Sequence, residues 1–126
     1  MKNLVVINIG TNDGGASTTS AMTALLNALI AAVPGKTIAV LRPFNGAQAS
    51  NLQAAIAACS APGACRWIDT TGFFDTTLGA DSLSLHPSGP NNVGRIGPKV
   101  AAALRPLLGG ATAPVFRPGF QRGLLG

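Results

Sequence analysis

The only imidazole in the chain is His86, set in ADSLSLHPSGPNNVG just ahead of Pro87. Imidazole titrates near neutral pH, so a histidine held in a loop can take a proton from a hydroxyl and return it to a leaving group. The same side chain also suits a solvated, proline-containing turn. A second candidate lies near the N-terminus, where the apolar run VVINIG gives way to Thr11-Asn12-Asp13. A side-chain amide at the end of a strand can donate a hydrogen bond to a developing oxyanion. Asn and Asp also serve there as plain turn residues or helix caps. The two candidates are far apart in sequence, so any joint chemistry depends on the fold.

The hydrophobic pattern predicts the elements that would position them. LVVINIG, residues 4–10, reads as a short apolar strand of the kind found in parallel sheets covered on both faces. Residues 17–33 read as a helix with Ser17 or Thr18 as cap and a stripe of Met22, Leu25, Leu26, Leu29, Ile30 and Val33, stopped by Pro34-Gly35. A second strand is expected at 36–43, an alanine-rich helix at 47–59 ended by Pro62-Gly63, a third strand at 66–71 and a last helix at 91–108, strained by Gly97-Pro98 and Pro106. Residues 109–126 read as a linker or extended arm. The order β-α-β-α-β-loop-α implies right-handed crossovers and an α/β three-layer sandwich around a parallel sheet. Ligands in such sheets sit at the carboxyl ends of the strands. Asn12-Asp13, Arg42-Pro43 and Asp69-Thr70 fall at that edge, and the loop bearing His86 leaves from it.

Composition narrows the classes. A length of 126 residues suggests one domain, and a hydrophobic share of 47% is enough for a core. Net charge is +5, but the nine Lys and Arg are dispersed, no two adjoin, and there is no Tyr to interleave with them as a stacking platform. That argues against nucleic acid as a partner. No segment reaches the ~20 apolar residues that span a bilayer, so no membrane partner is expected. The opening MKNLVVINIGTND lacks a signal-peptide cleavage pattern and reads as the first core strand. Cys59 and Cys65 flank SAPGA, a turn sequence able to bring two sulfurs together. Two thiols and one distant His do not make a zinc pattern, so neither a metal nor another cofactor is expected. A disulfide there would favour an extracellular or periplasmic location.

Taken together, GTND (Gly10–Asp13) after an apolar strand and LHPSG (Leu85–Gly89) before the final helix resemble two blocks of the SGNH hydrolases, the GDSL-type esterases and lipases. WIDTTGFF, residues 67–74, resembles the strand and loop that precede the histidine block there. The resemblance covers about residues 4–108 and implies an SGNH/flavodoxin-like domain over residues 1–108. It implies carboxylic ester hydrolysis through a serine acyl-enzyme, on small acyl or carbohydrate esters. Asn12 would be an oxyanion-hole donor and His86 the general base, with Gly10 and Asp13 supporting the turn.

The chain departs from the family in two places. The family sets an orienting Asp three residues before the His, where this chain has Leu83; Asp81 lies five before. Asp81 reaching across an insertion, a Ser-His dyad, and a backbone carbonyl on His86 are all open. The family's Gly-Asp-Ser nucleophile block and its second oxyanion donor, a glycine, are absent, as if the N-terminal strands of the fold were missing. Among the remaining serines, Ser84 and Ser17 are the least implausible nucleophiles, and none is assigned. The first strand would then lack a neighbour on one side, an edge prone to pairing. A second copy of this chain, a complementing N-terminal chain or the C-terminal arm is expected to fill it. The alternative function is a non-catalytic remnant of the fold that acts as a binding or assembly module.

Overall fold

The computed structural model describes residues 4–13, 17–78 and 89–109, with side chains left out for 89–93. The described elements are β1 (Leu4–Ile7), α1 (Thr19–Ala32), β2 (Thr37–Leu41), α2 (Ala49–Ala58), β3 (Cys65–Ile68) and α3 (Gly89–Leu104). Short 3-10 turns stand at Pro62–Ala64, Thr76–Leu78 and Arg105–Leu108. The three strands form one parallel sheet in the order β1-β2-β3. Val5 is in register with Ile38, and Ile38 with Cys65. This is an α/β fold.

The central strand carries the core. Ile38, Ala39, Val40 and Leu41 are all buried. Because side chains alternate along a strand, they feed two clusters. Ile38 and Val40 join Ile7, Met22, Leu26, Leu52, Ala55, Cys59 and Cys65, the side of α1 and α2. Ala39 and Leu41 join Ile68 beneath Val100, Ala103, Leu104 and Leu107 from α3 and the turn that follows it. β1 is less enclosed: Ile7 is buried but Val6 is exposed, and no strand pairs with the outer edge of β1 among the described residues.

Several expected boundaries shift, each for a local reason. β1 ends at Ile7, not Gly10, because Gly10 takes a positive φ of 100° that an extended ladder does not accommodate. β2 stops at Leu41, two residues before Pro43, which has no amide hydrogen to donate. β3 ends at Ile68, just before a turn in which Asp69 accepts from Thr71. The helix expected at 91–108 begins earlier, at Gly89, and ends at Leu104; Pro98 lies inside it, and Pro106 sits in the first turn of the 3-10 segment. In α1 the expected hydroxyl cap is not made, although Thr18 occupies the cap position. Leu25, placed in the buried stripe from its spacing, is exposed; Met22 and Leu26 carry the burial.

Candidate functional site

The carboxyl ends of β1 and β2 and the starts of α1 and α2 converge on one rim. Gly10 is what allows the convergence. A Cβ there would lie 3.3 Å from the Gln48 Cβ and 3.4 Å from the Pro43 Cγ, so the chain passes close over the connection between β2 and α2. Beyond this crossing the chain turns at Thr11 and Asn12, and the Asn12 and Asp13 side chains face solvent. Gly10 itself is buried. Of the residues singled out from sequence, the structure thus brings Gly10, Asn12 and Asp13 to the end of β1. Asp81 and His86, with Ser84, lie in residues 79–88, outside the described residues.

A polar lattice joins the two helix starts. The Thr18 hydroxyl donates to Gln48 Oε1 at 3.0 Å, and Asn51 Nδ2 donates to the same oxygen at 2.5 Å. The Thr19 hydroxyl donates to Asn51 Oδ1 at 3.1 Å. The Gln48 backbone is held in the left-handed region at φ 56°. The Ser17 hydroxyl, exposed, reaches Thr19 Oγ1 at 3.5 Å. The sequence pattern did not reveal this lattice. Gln48 and Asn51 fell there within the alanine-rich helix expected at 47–59, with nothing to single them out. Neither α1 nor α2 has an acidic residue in its first turn, so the partial positive charge of both helix starts is left unopposed there.

The ends of β2 and β3 are fastened to each other. Thr70, fully buried, donates its hydroxyl to the Arg42 carbonyl at 2.8 Å, and the Arg42 amide donates to the Ile68 carbonyl at 2.9 Å. Arg42 Nη1 folds back on the Pro43 carbonyl at 3.3 Å, over Gly46.

After β3 the sequence repeats a small device, Asp-Thr-Thr. Asp69 Oδ1 accepts from the Thr71 amide at 2.9 Å and its hydroxyl at 2.6 Å; Asp75 Oδ1 accepts from the Thr77 amide at 3.0 Å and its hydroxyl at 2.6 Å. The hydroxyl bond in each case, helped by the amide, holds the carboxyl below the usual aspartate range. Arg42 lowers Asp69 further, and Arg95 does the same for Asp75. Arg95 Nη1 meets Asp75 Oδ2 at 3.3 Å, Lys99 donates to the Gly72 carbonyl at 3.3 Å, and its ammonium stands 5.4 Å from the centre of the Phe73 ring. These contacts tie residues 72–75 to α3, elements that lie on either side of residues 79–88 in the sequence.

The arrangement offers hydrogen-bond donors and helix-start charge at one rim, suited to a ligand that is or becomes anionic. Among the described residues, no group of three His, Cys, Asp or Glu side chains is placed to hold a metal ion. None of the described helices is long and apolar enough to cross a membrane. A scan against protein-family models finds no match, and searches of curated proteins and of solved structures find none either.

Proposed function

We propose that this chain belongs to an SGNH-type ester hydrolase, folded as a three-layer α/β sandwich, and supplies its oxyanion donor and general base. The observation that carries this reading is the exposed Asn12 at the carboxyl end of β1, the strand whose outer edge has no strand partner among the described residues. The uncapped starts of α1 and α2 add favourable electrostatics at the same rim. A serine from a second copy or a complementing chain, paired along β1, attacks the carbonyl of a small acyl or carbohydrate ester. His86 takes the serine proton as the bond forms, and the Asn12 amide donates to the oxyanion. His86 then returns the proton to the leaving alcohol. Water, activated by the same imidazole, releases the acyl group and regenerates the serine. Asp81 or a backbone carbonyl orients His86, or the serine and His86 act as a dyad, and Asp13 braces the turn.

The test is hydrolysis of p-nitrophenyl acetate by the parent, His86→Ala and Asn12→Ala. Loss of the base is expected to lower the rate by about 10²–10⁴-fold, and loss of the donor by about 10²–10³-fold. Activity that survives His86→Ala overturns the assignment. Labelling with a fluorophosphonate, read by mass spectrometry, identifies the serine and the chain that carries it. The second reading, a non-catalytic binding or assembly module, is favoured by the position of β1 at the edge of the sheet, where it has no outer strand partner among the described residues. Self-association with no labelled serine selects it.

A further inference from the structure

We propose that Cys59 and Cys65 form a reversible dithiol–disulfide site that staples the end of α2 to the start of β3, with a small-molecule disulfide such as oxidised glutathione as oxidant. Both side chains are buried in the cluster under α1 and α2, as free thiols. Their sulfurs stand 3.9 Å apart, each in direct contact with the other. A disulfide needs ~2 Å, so the pair closes by about the same again.

The connecting chain holds the two residues in place before any bond forms. Cys59 caps the end of α2 with an extended backbone, and Cys65 is the first residue of β3. Between them, the Ser60 amide donates to Asn27 Oδ1 at 2.7 Å, and the Ala64 amide closes a tight turn on the Ala61 carbonyl at 2.9 Å. Ser60, Pro62 and Gly63 are exposed, so local opening of this turn admits the oxidant while the strands stay paired. No third metal-ligating side chain joins the two thiols among the described residues.

The exchange balances in two steps. One cysteine, as thiolate, attacks a sulfur of oxidised glutathione and releases one glutathione thiolate, leaving a mixed disulfide. The second cysteine gives up its proton, attacks the protein-side sulfur and releases the second glutathione. Two protein thiols are oxidised and one disulfide is reduced to two thiols. Burial, with the Cys59 sulfur adding to it, pushes the Cys65 thiol up to about 11. Thiolate is therefore scarce at neutral pH, and closure speeds up as pH rises.

The test equilibrates the full chain in buffers of varied reduced-to-oxidised glutathione ratio, then quenches with acid, alkylates under denaturing conditions and reads the mass. The expected product is a monomer lighter by two hydrogens, with no alkylatable thiol and the bridge inside the one tryptic peptide that holds both cysteines. Its melting temperature is expected to exceed that of the reduced chain by roughly 10 °C, as closure of a short loop predicts for a domain of this size. Cys65→Ala is expected to stop at a single glutathione adduct on Cys59. Two alkylatable thiols at equilibrium with oxidised glutathione, bridges only between chains, or an oxidised chain that melts no higher than the reduced one would each overturn the proposal. The wild-type chain is its own comparison, so the outcome does not depend on whether the variant folds.

Discussion

On one face of the sheet, two helices pack on the strands and on each other, and Leu26, Ile38, Val40, Leu52 and Ala55 are almost wholly removed from water. On the other face, Ala39, Leu41 and Ile68 are buried, but the α3 side chains above them, Val100, Ala103 and Leu104, are only partly so. The candidate site straddles this difference. Asn12 leads toward α1 and the closed face, where a polar lattice joins the helix starts. Residues 79–88, which hold His86, are flanked by Thr76–Leu78 and α3, and just before Thr76 the residues Phe73 and Asp75 meet α3 through a cation over a ring and an exposed ion pair. Among the described residues, the closed face thus rests on burial, and the contacts of residues 72–75 with α3 are exposed electrostatic ones worth much less.

The strongest way to break this contrast is to cut a leucine on each face. Leu52→Ala removes a side chain that is 2% exposed and leaves a cavity the surrounding core cannot fill, for an expected loss of about 3 kcal/mol. Leu104→Ala removes one that is only partly buried, and the expected loss is about half of that. Urea unfolding of the two variants measures both. Equal losses would mean that α3 closes its face as tightly as α1 and α2 close theirs.

A smaller effect is expected at the point where the closed face meets the site. Gly10→Ala forces a side chain onto a residue at φ 100° and against Gln48 and Pro43, for an expected cost of about 2 kcal/mol. The backbone strain acts two residues from Asn12. In the p-nitrophenyl acetate assay, rate is expected to fall even at temperatures where the variant remains folded. A variant with parental stability would show that the crossing over Pro43 is loose.

The order of strands and helices was legible because each apolar run is bounded by residues that end it, such as Pro34-Gly35 and Pro62-Gly63. The strand ends were not, since they depend on the φ of Gly10 and on Asp69 turning toward Thr71. Thr18 shows the same limit. Its type and position fit a cap, but its hydroxyl goes to Gln48, a partner thirty residues away that helical spacing does not reveal. Asn12 was legible as a candidate by residue type and by its place after a strand. The lattice beside it was not, because it needs two helix starts from different parts of the chain. For the cysteines, Pro62-Gly63 announced a turn, whereas the contact between the sulfurs required the fold.

The smallest effect belongs to the open face and is expected mainly as a pH dependence. In the folded chain the Asp75 carboxyl titrates below its ordinary value, because the Thr77 hydroxyl and amide, and then Arg95, favour the charged form. The unfolded chain therefore binds this proton more readily. The stabilising contribution is complete above the unfolded aspartate value of about 4 and is lost as pH falls through the lower folded value. Asp75→Asn keeps an oxygen for Thr77 but removes the charge that meets Arg95. The difference in stability between parent and variant is expected to be constant near neutrality, to shrink below about pH 4 and to weaken with added salt. Unfolding midpoints across that range, with an NMR titration of Asp75, measure it. An Asp75 that titrates above its ordinary value would show that Thr77 and Arg95 do not hold it in solution, and the segment bearing His86 would then lack the charged tether on its N-terminal side.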